Sequence, residues 1–227
     1  MEDGKIMNKL NILYEDNHII VVEKPFNVLS QSDNTGDMDM LTWIKSYIKE
    51  KYNKPGNVYL GLVHRLDRPV GGVMVFAKTS KAAGRLSDSI RKNEFDKTYL
   101  AVVHGIIKEK EGTFKDYLMK LDNGNTIVTD SKKGKLSILH YKVLQVNKDK
   151  NESLVEIKLE TGRHHQIRVQ FASRGYPLCG DQRYGKMDNT QIALFAYKLE
   201  FIHPVKKEKM SFSLCKPNLQ YWNDFNS

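Results

Sequence analysis

Residues 64–78 read HRLDRPVGGVMVFAK, and this stretch frames the rest of the chain. Its first half is polar and sets one acid, Asp67, between Arg65 and Arg68. Its second half, 71–78, is an apolar run of strand length. Pro69 fixes its own φ, and Gly71-Gly72 supplies backbone freedom, so the chain turns sharply between the halves. A run that is apolar throughout marks a strand covered on both faces, the centre of a sheet. Working outward, apolar runs with strand periodicity recur at 10–14, 18–24, 97–104, 112–120, 136–146, 153–160, 192–202 and 209–215, separated by turn residues. Helical spacing occurs in three places. In 41–52, Leu41, Ile44, Ile48 and Tyr52 share a face; in 80–92, Ala82, Ala83, Leu86 and Ile90 do, with Thr79 or Ser80 able to cap the start. The third helix is predicted from about 164 to 173, pairing Ile167 with Phe171 and stopping at Gly175.

Nine strand candidates against three helices predict an α+β fold: a mixed, mostly antiparallel central sheet with flanking helices, rather than alternating βαβ units. The segments 30–40 and 121–135 read as polar, mobile loops. No repeat, linker or low-complexity run divides the chain, so a single domain over 1–227 is predicted, with its core at about 10–215.

The 227 residues include 36 Lys+Arg against 27 Asp+Glu, a net charge of +9. That excess favours a polyanionic partner, nucleic acid first. Lysines are spread along the chain, but all eight arginines lie between Arg65 and Arg183, and four of them (Arg65, Arg68, Arg163, Arg168) fall in HRLDRP and TGRHHQIR. Arginine's planar fork suits phosphate and carboxylate, so arginines gathered beside a lone acid read as a site. No apolar stretch approaches the ~20 residues of a membrane span, and the first residues lack the apolar core of a secretory signal. A cytoplasmic location and no membrane partner are predicted. Cys179 and Cys215 are too few for a disulfide framework or a cysteine-rich zinc site.

In isolation an aspartate in a turn is commonly there for its own backbone hydrogen bonds. Guanidinium groups beside it favour its charged form and orient it, and such a carboxylate can act at an anomeric carbon as nucleophile or electrostatic stabiliser. Tyr99, in an alternating strand, fits the core equally well. His164-His165 invites a metal reading, but neighbouring helical residues point about 100° apart, so no metal site is predicted there.

HRLDRPVGGVMVFAK resembles the signature HRLDxxTSGLLLxAK of the RluA/RluD family of RNA pseudouridine synthases. Three further blocks match in order. ILYEDNHIIVVEKP (12–25) resembles the family's opening strand pair, KTYLAVVHG (97–105) its K-x-Y-x-A-x-V-x-G block, and residues 161–185 its TGRxHQIRxH followed by GDxxYG. The resemblance spans about 10–215. It implies the pseudouridine synthase fold with a catalytic cleft, and an isomerase that detaches uracil from C1′ at N1, rotates it and reattaches it through C5, without cofactor or metal. It makes Asp67 the catalytic aspartate, Tyr99 the residue that stacks on the flipped base and helps remove the C5 proton, Arg163 the partner of the aspartate, and Arg65 the filler of the gap left by the uridine. His64, Arg68, His165, Gln166 and Arg168 join Arg65 as expected RNA-binding residues.

The physics fits these roles. A stacked uridine must be extruded at a cost of roughly a few kcal/mol, and an inserted guanidinium offsets part of it. Val70-Gly71-Gly72 replaces the family's Thr-Ser-Gly, and Gln170 its final His, which bears on target choice. Only about ten residues precede the first strand, so no N-terminal S4 RNA-binding domain is expected. The catalytic domain, predicted to be monomeric, would then grip rRNA or tRNA itself, with 132–135 and 205–209 as candidate phosphate contacts. The alternatives are a catalytically silent RNA-binding protein of the same fold, against which Asp67, Tyr99 and Arg163 count, and a nucleoside or glycoside hydrolase, which lacks an identifiable second acid.

Overall fold

The structure is a computed structural model and describes residues 9–187 and 189–225. Its strands are β1 (Ile12–Glu15), β2 (Ile19–Lys24), β3 (Gly61–Leu62), β4 (Gly71–Ala77), β5 (Asp96–His104), β6 (Glu111–Lys120), β7 (Thr126–Thr129), β8 (Lys135–Asn147), β9 (Glu152–Leu159), β10 (Leu194–Ile202) and β11 (Lys209–Ser213). The helices are α1 (Met40–Lys51), α2 (Ser80–Arg91) and α3 (Gln166–Ala172), with a 3-10 turn at Trp222–Asp224. All eleven strands join one sheet in the order β1-β2-β4-β10-β5-β9-β8-β6-β7, with β11 on β10 and β3 on β4. Among the described residues β10–β4 is the only parallel pair of these strands, so the sheet is mixed and mostly antiparallel as expected.

All seven residues of β4 are buried, and its alternate side chains feed two cores. Met74 and Phe76 pack with Met40, Ile44 and Ile48 of α1 and with Ile167 and Phe171 of α3. Val73, Val75 and Ala77 point the other way, to Ala82 and Leu86 of α2. Side chains alternate across a strand, so one apolar run serves both layers. Gly72 has φ +131°, and a Cβ there would lie 2.3 Å from the Ala196 carbonyl oxygen. Only glycine lets β4 approach β10 so closely at the entrance to the Asp67 loop.

Asp39 and Thr79 cap α1 and α2 by accepting from the Thr42 and Ala82 amides. The third helix starts at Gln166, two residues later than the periodicity predicts, because His165 is left-handed (φ 51°) and the helix cannot extend back through it. A second difference lies in 121–135. Residues 126–129, Thr-Ile-Val-Thr, form β7 against β6, closed by the Leu121 amide donating to the Asn125 carbonyl at 2.7 Å. β-Branched side chains favour the extended chain even in this polar context. Among the described residues no helix is long and apolar enough to cross a membrane.

Candidate active site

Asp67 sits in the loop between β3 and β4, and its backbone is held on both sides. Its carbonyl accepts from the Val70 amide at 3.0 Å. Ser30 Oγ donates to the Leu66 carbonyl (2.8 Å) and accepts from the Leu66 amide (3.1 Å). Beneath the loop the Lys24 ammonium donates to the carbonyls of Pro25 (3.0 Å), Arg68 (3.0 Å) and Val70 (2.6 Å). Lys24 is fully buried, which pushes its pKa down to about 7, while the Asp67 carboxylate pulls it the other way. The loop is therefore rigid where the acid must be placed.

The Asp67 carboxylate has two side-chain partners. Its Oδ2 lies 3.4 Å from Arg168 Nη1 and 3.5 Å from His165 Nε2. Arg168 is locked from behind by Asp181, with Nε to Oδ2 at 2.8 Å and Nη2 to Oδ1 at 2.7 Å. Asp181 Oδ1 also accepts from the amides of Arg183 (2.9 Å) and Tyr184 (3.1 Å). Burial works to raise the Asp181 pKa, but the guanidinium and these amides outweigh it, and it is lowered. The bidentate pair fixes the guanidinium plane, leaving the third nitrogen aimed at Asp67.

This corrects the expected role of Arg163. Its side chain is exposed and its Nε donates to the Leu136 carbonyl at 3.1 Å. The arginine on Asp67 is Arg168, which the sequence had placed among RNA contacts. Because α3 begins at Gln166, Arg168 is in its first turn and reaches back toward the catalytic loop. Asp181 and Lys24 went unassigned; the GDxxYG match held the only hint of the former.

Tyr99 points to the same face of β5 as the α1–α3 core and lines a cavity with Asp67. Burial first, and then the charge of Asp67, push its phenol pKa up, so the hydroxyl keeps its proton at neutral pH. The His64 ring is turned onto the sheet, where Nε2 accepts from the Val75 amide at 3.1 Å. Burial and the nearby Lys97 push its pKa down to about 3. Gln166 is likewise internal: Oε1 accepts from Thr161 Oγ1 (2.9 Å) and the Arg163 amide (3.0 Å), and Nε2 donates to the Ile138 carbonyl (3.0 Å). Both residues are held by these bonds and also line the cavity beside Asp67. Arg65 and Arg68 are exposed, the latter paired with Asp37 at 2.7 Å.

The two histidines are not successive residues of one helix, as their expected divergence assumed; their ring centroids lie 3.7 Å apart. His164 Nδ1 meets Thr126 Oγ1 and His165 Nδ1 meets the Tyr184 hydroxyl, each at 2.8 Å. The Tyr184 oxygen also accepts from the Thr126 amide at 2.7 Å, so the β6–β7 hairpin is fastened to the same network as Asp67. Burial pushes His165 down to about 4 against the opposing pull of Asp67, so the ring is neutral at pH 7.

Two connected spaces meet at Asp67. One is a cavity of about 280 Å³ bounded by Asp67, Tyr99, Arg163, Ile167 and Leu194. The other is an open groove of about 940 Å³ bearing Arg65, Arg68, Lys120, His164 and Arg183. A small, partly apolar chamber with one oriented carboxylate opens into a long basic channel.

A ring-sized chamber beside a groove bearing several basic side chains is suited to a single residue of a polyanion such as a nucleic acid. The sequence profile described as RNA pseudouridylate synthase matches residues 18–173. An uncharacterized RNA pseudouridine synthase of Bacillus subtilis, YhcT, is 36% identical over 203 residues, covering 88% of this chain and 66% of that protein. The ribosomal large subunit pseudouridine synthase D of Buchnera aphidicola is 33% identical over 226 residues, covering 92% of this chain and 70% of that one. Among solved structures, human RNA pseudouridylate synthase domain containing 4 superposes with a TM-score of 0.78 at 20% identity, over 94% of this chain and 90% of that chain, which supports the fold. The chain belongs to the RNA pseudouridylate synthase family, whose members isomerise uridine in RNA. It spans about two thirds of the length of these curated relatives.

Proposed function

We propose that this chain converts uridine to pseudouridine in ribosomal RNA, with Asp67 as the catalytic residue. The observation that carries the reading is the Asp67 carboxylate set at the mouth of a ring-sized cavity and oriented by an arginine that is itself locked by Asp181. In the reaction the N1–C1′ bond breaks, the base turns, a C5–C1′ bond forms, the C5 hydrogen leaves as a proton and N1 gains one. Asp67 acts at the reacting nucleotide; Arg168 is its positioning residue. Tyr99, a neutral phenol, offers a ring to stack on the base and a hydroxyl to donate. Arg65, exposed where the cavity meets the groove, takes the place of the extruded base. The ribosomal target rests on the names of relatives such as the large subunit synthase D.

The test uses ribosomal RNA transcripts carrying tritium at uridine C5. Wild-type protein is expected to release tritium to water and to create carbodiimide-dependent primer-extension stops. Asp67→Asn is expected to release none while still binding the RNA. Turnover by a folded Asp67→Asn variant would overturn the assignment.

A further inference from the structure

We propose that His104, Glu152 and Cys179 form a binding site for a soft divalent cation, zinc above others, which ties the segment leading to Asp181 onto the sheet. Three elements converge there. His104 ends β5 and Glu152 begins β9 directly opposite it in the ladder. Cys179 follows α3 and is pinned to β5 by its amide donating to the Val102 carbonyl at 2.9 Å. The ligand atoms already face one another: Cys179 Sγ lies 3.5 Å from His104 Nδ1 and 3.6 Å from Glu152 Oε1, and the latter two are 4.0 Å apart. Zinc bonds of about 2.3 Å to sulfur and about 2.0–2.2 Å to nitrogen and oxygen at tetrahedral angles separate ligands by roughly 3.3–3.6 Å. The trio needs to close by well under an ångström.

Burial and chemistry agree with the distances. Cys179 and Glu152 are 0% and 4% exposed. Glu152 Oε2 is buried with no hydrogen-bond partner, a costly state for a carboxylate. Lys150, the lysine two residues away, pairs with Asp224 at 2.6 Å instead. A cation held by sulfur, nitrogen and Oε1 keeps a fourth position for water, which can donate to Oε2. The His104 side chain is 27% exposed and leaves a route in. One imidazole, one thiolate and one carboxylate suit zinc better than calcium or magnesium. On binding, the Cys179 thiol gives its proton to solvent and a sulfur–metal bond forms. Asp181, which holds Arg168, is two residues beyond Cys179, so the ion would stiffen the support of the active site without touching it.

Cobalt(II) is the probe, added to the chelator-treated full chain. One equivalent is expected to give a thiolate-to-cobalt charge-transfer absorption that zinc displaces. The band should vanish in Cys179→Ser, weaken at least tenfold in apparent affinity in Glu152→Gln and His104→Gln, and persist in Cys215→Ser. Zinc at about a hundredfold excess over Kd is expected to raise Tm by roughly 5 °C or more in wild type, and not in Glu152→Gln. The two glutamine variants carry the reading if Cys179→Ser fails to fold. Absence of the band, its loss in Cys215→Ser, or its full persistence in both glutamine variants would overturn the site and leave a hydrogen-bonded cluster only.

Discussion

One guanidinium serves two carboxylates: Arg168 gives Asp181 two short hydrogen bonds and Asp67 a longer one. Removing the buried partner therefore does more than remove a contact. Asp181→Ala leaves Arg168 buried with a single, looser counterion and leaves two amides without their acceptor. A loss of about 3–5 kcal/mol is expected, read from urea midpoints. Asp181→Asn keeps the shape but not the charge, and should lower turnover more than RNA affinity. The contrast between the two arginines is sharper. Arg163→Ala removes an exposed side chain with one carbonyl bond and should cost under about 1 kcal/mol, with far more turnover left than in Arg168→Ala. Equal loss of turnover in both variants would return Arg163 to the carboxylate. Asp67 stood out in the sequence through the resemblance of HRLD to the family signature, since an aspartate in a turn has by itself a sufficient use in its own backbone hydrogen bonds. Its partner was not legible. TGRHHQIR offers two arginines, and the choice depends on where α3 begins, which the left-handed His165 settles two residues late.

At the scale of elements, the loop and the hairpin are fastened to the sheet by neutral histidines. His64 accepts the Val75 amide of β4, and His165 meets Tyr184, which in turn holds β7. Burial holds the folded pKa values at about 3 and about 4, against about 6.5 in the unfolded chain. Between about 4 and about 6.5 the unfolded state then binds more protons, so stability is complete above about pH 6.5 and falls as pH drops toward the folded values. His64→Gln, whose amide oxygen can take the same N–H, is expected to flatten that decline in urea midpoints. An unchanged slope would remove His64 from the account. The nine predicted strands all appear because each carries a long apolar or alternating run. Two strands escaped: β3 is only two residues long, and β7 is four residues inside a polar segment, with Ile127 and Val128 exposed, so hydrophobic periodicity had nothing to report. Only the β-branched quartet Thr-Ile-Val-Thr carried the signal.

At the scale of the whole molecule, the net charge of +9 is used unevenly. Lys206 meets Tyr14 (2.8 Å) and Asp16 (3.7 Å), and Lys209 meets Glu200 (3.5 Å), so two lysines of the 205–209 stretch are engaged within the protein. Arg65, Arg68, Lys120 and Arg183 line the groove that leads to Asp67, Arg68 beside Asp37 (2.7 Å) and Arg183 beside Asn125 (3.0 Å). If these four neutralise one phosphate each, log affinity should fall with log salt at about −0.7 to −0.9 per contact, a total slope of roughly −2.8 to −3.6. Raising salt from about 50 to about 200 mM would then weaken RNA binding by roughly 50- to 150-fold, measurable by fluorescence anisotropy on a ribosomal RNA fragment. Each single alanine replacement in the groove should make the slope shallower by about one contact, whereas Lys206→Ala and Lys209→Ala should leave it unchanged. A slope insensitive to the groove but reduced by the lysines would move the RNA path away from Asp67. The basic excess would then report a different surface from the one on which the isomerisation depends.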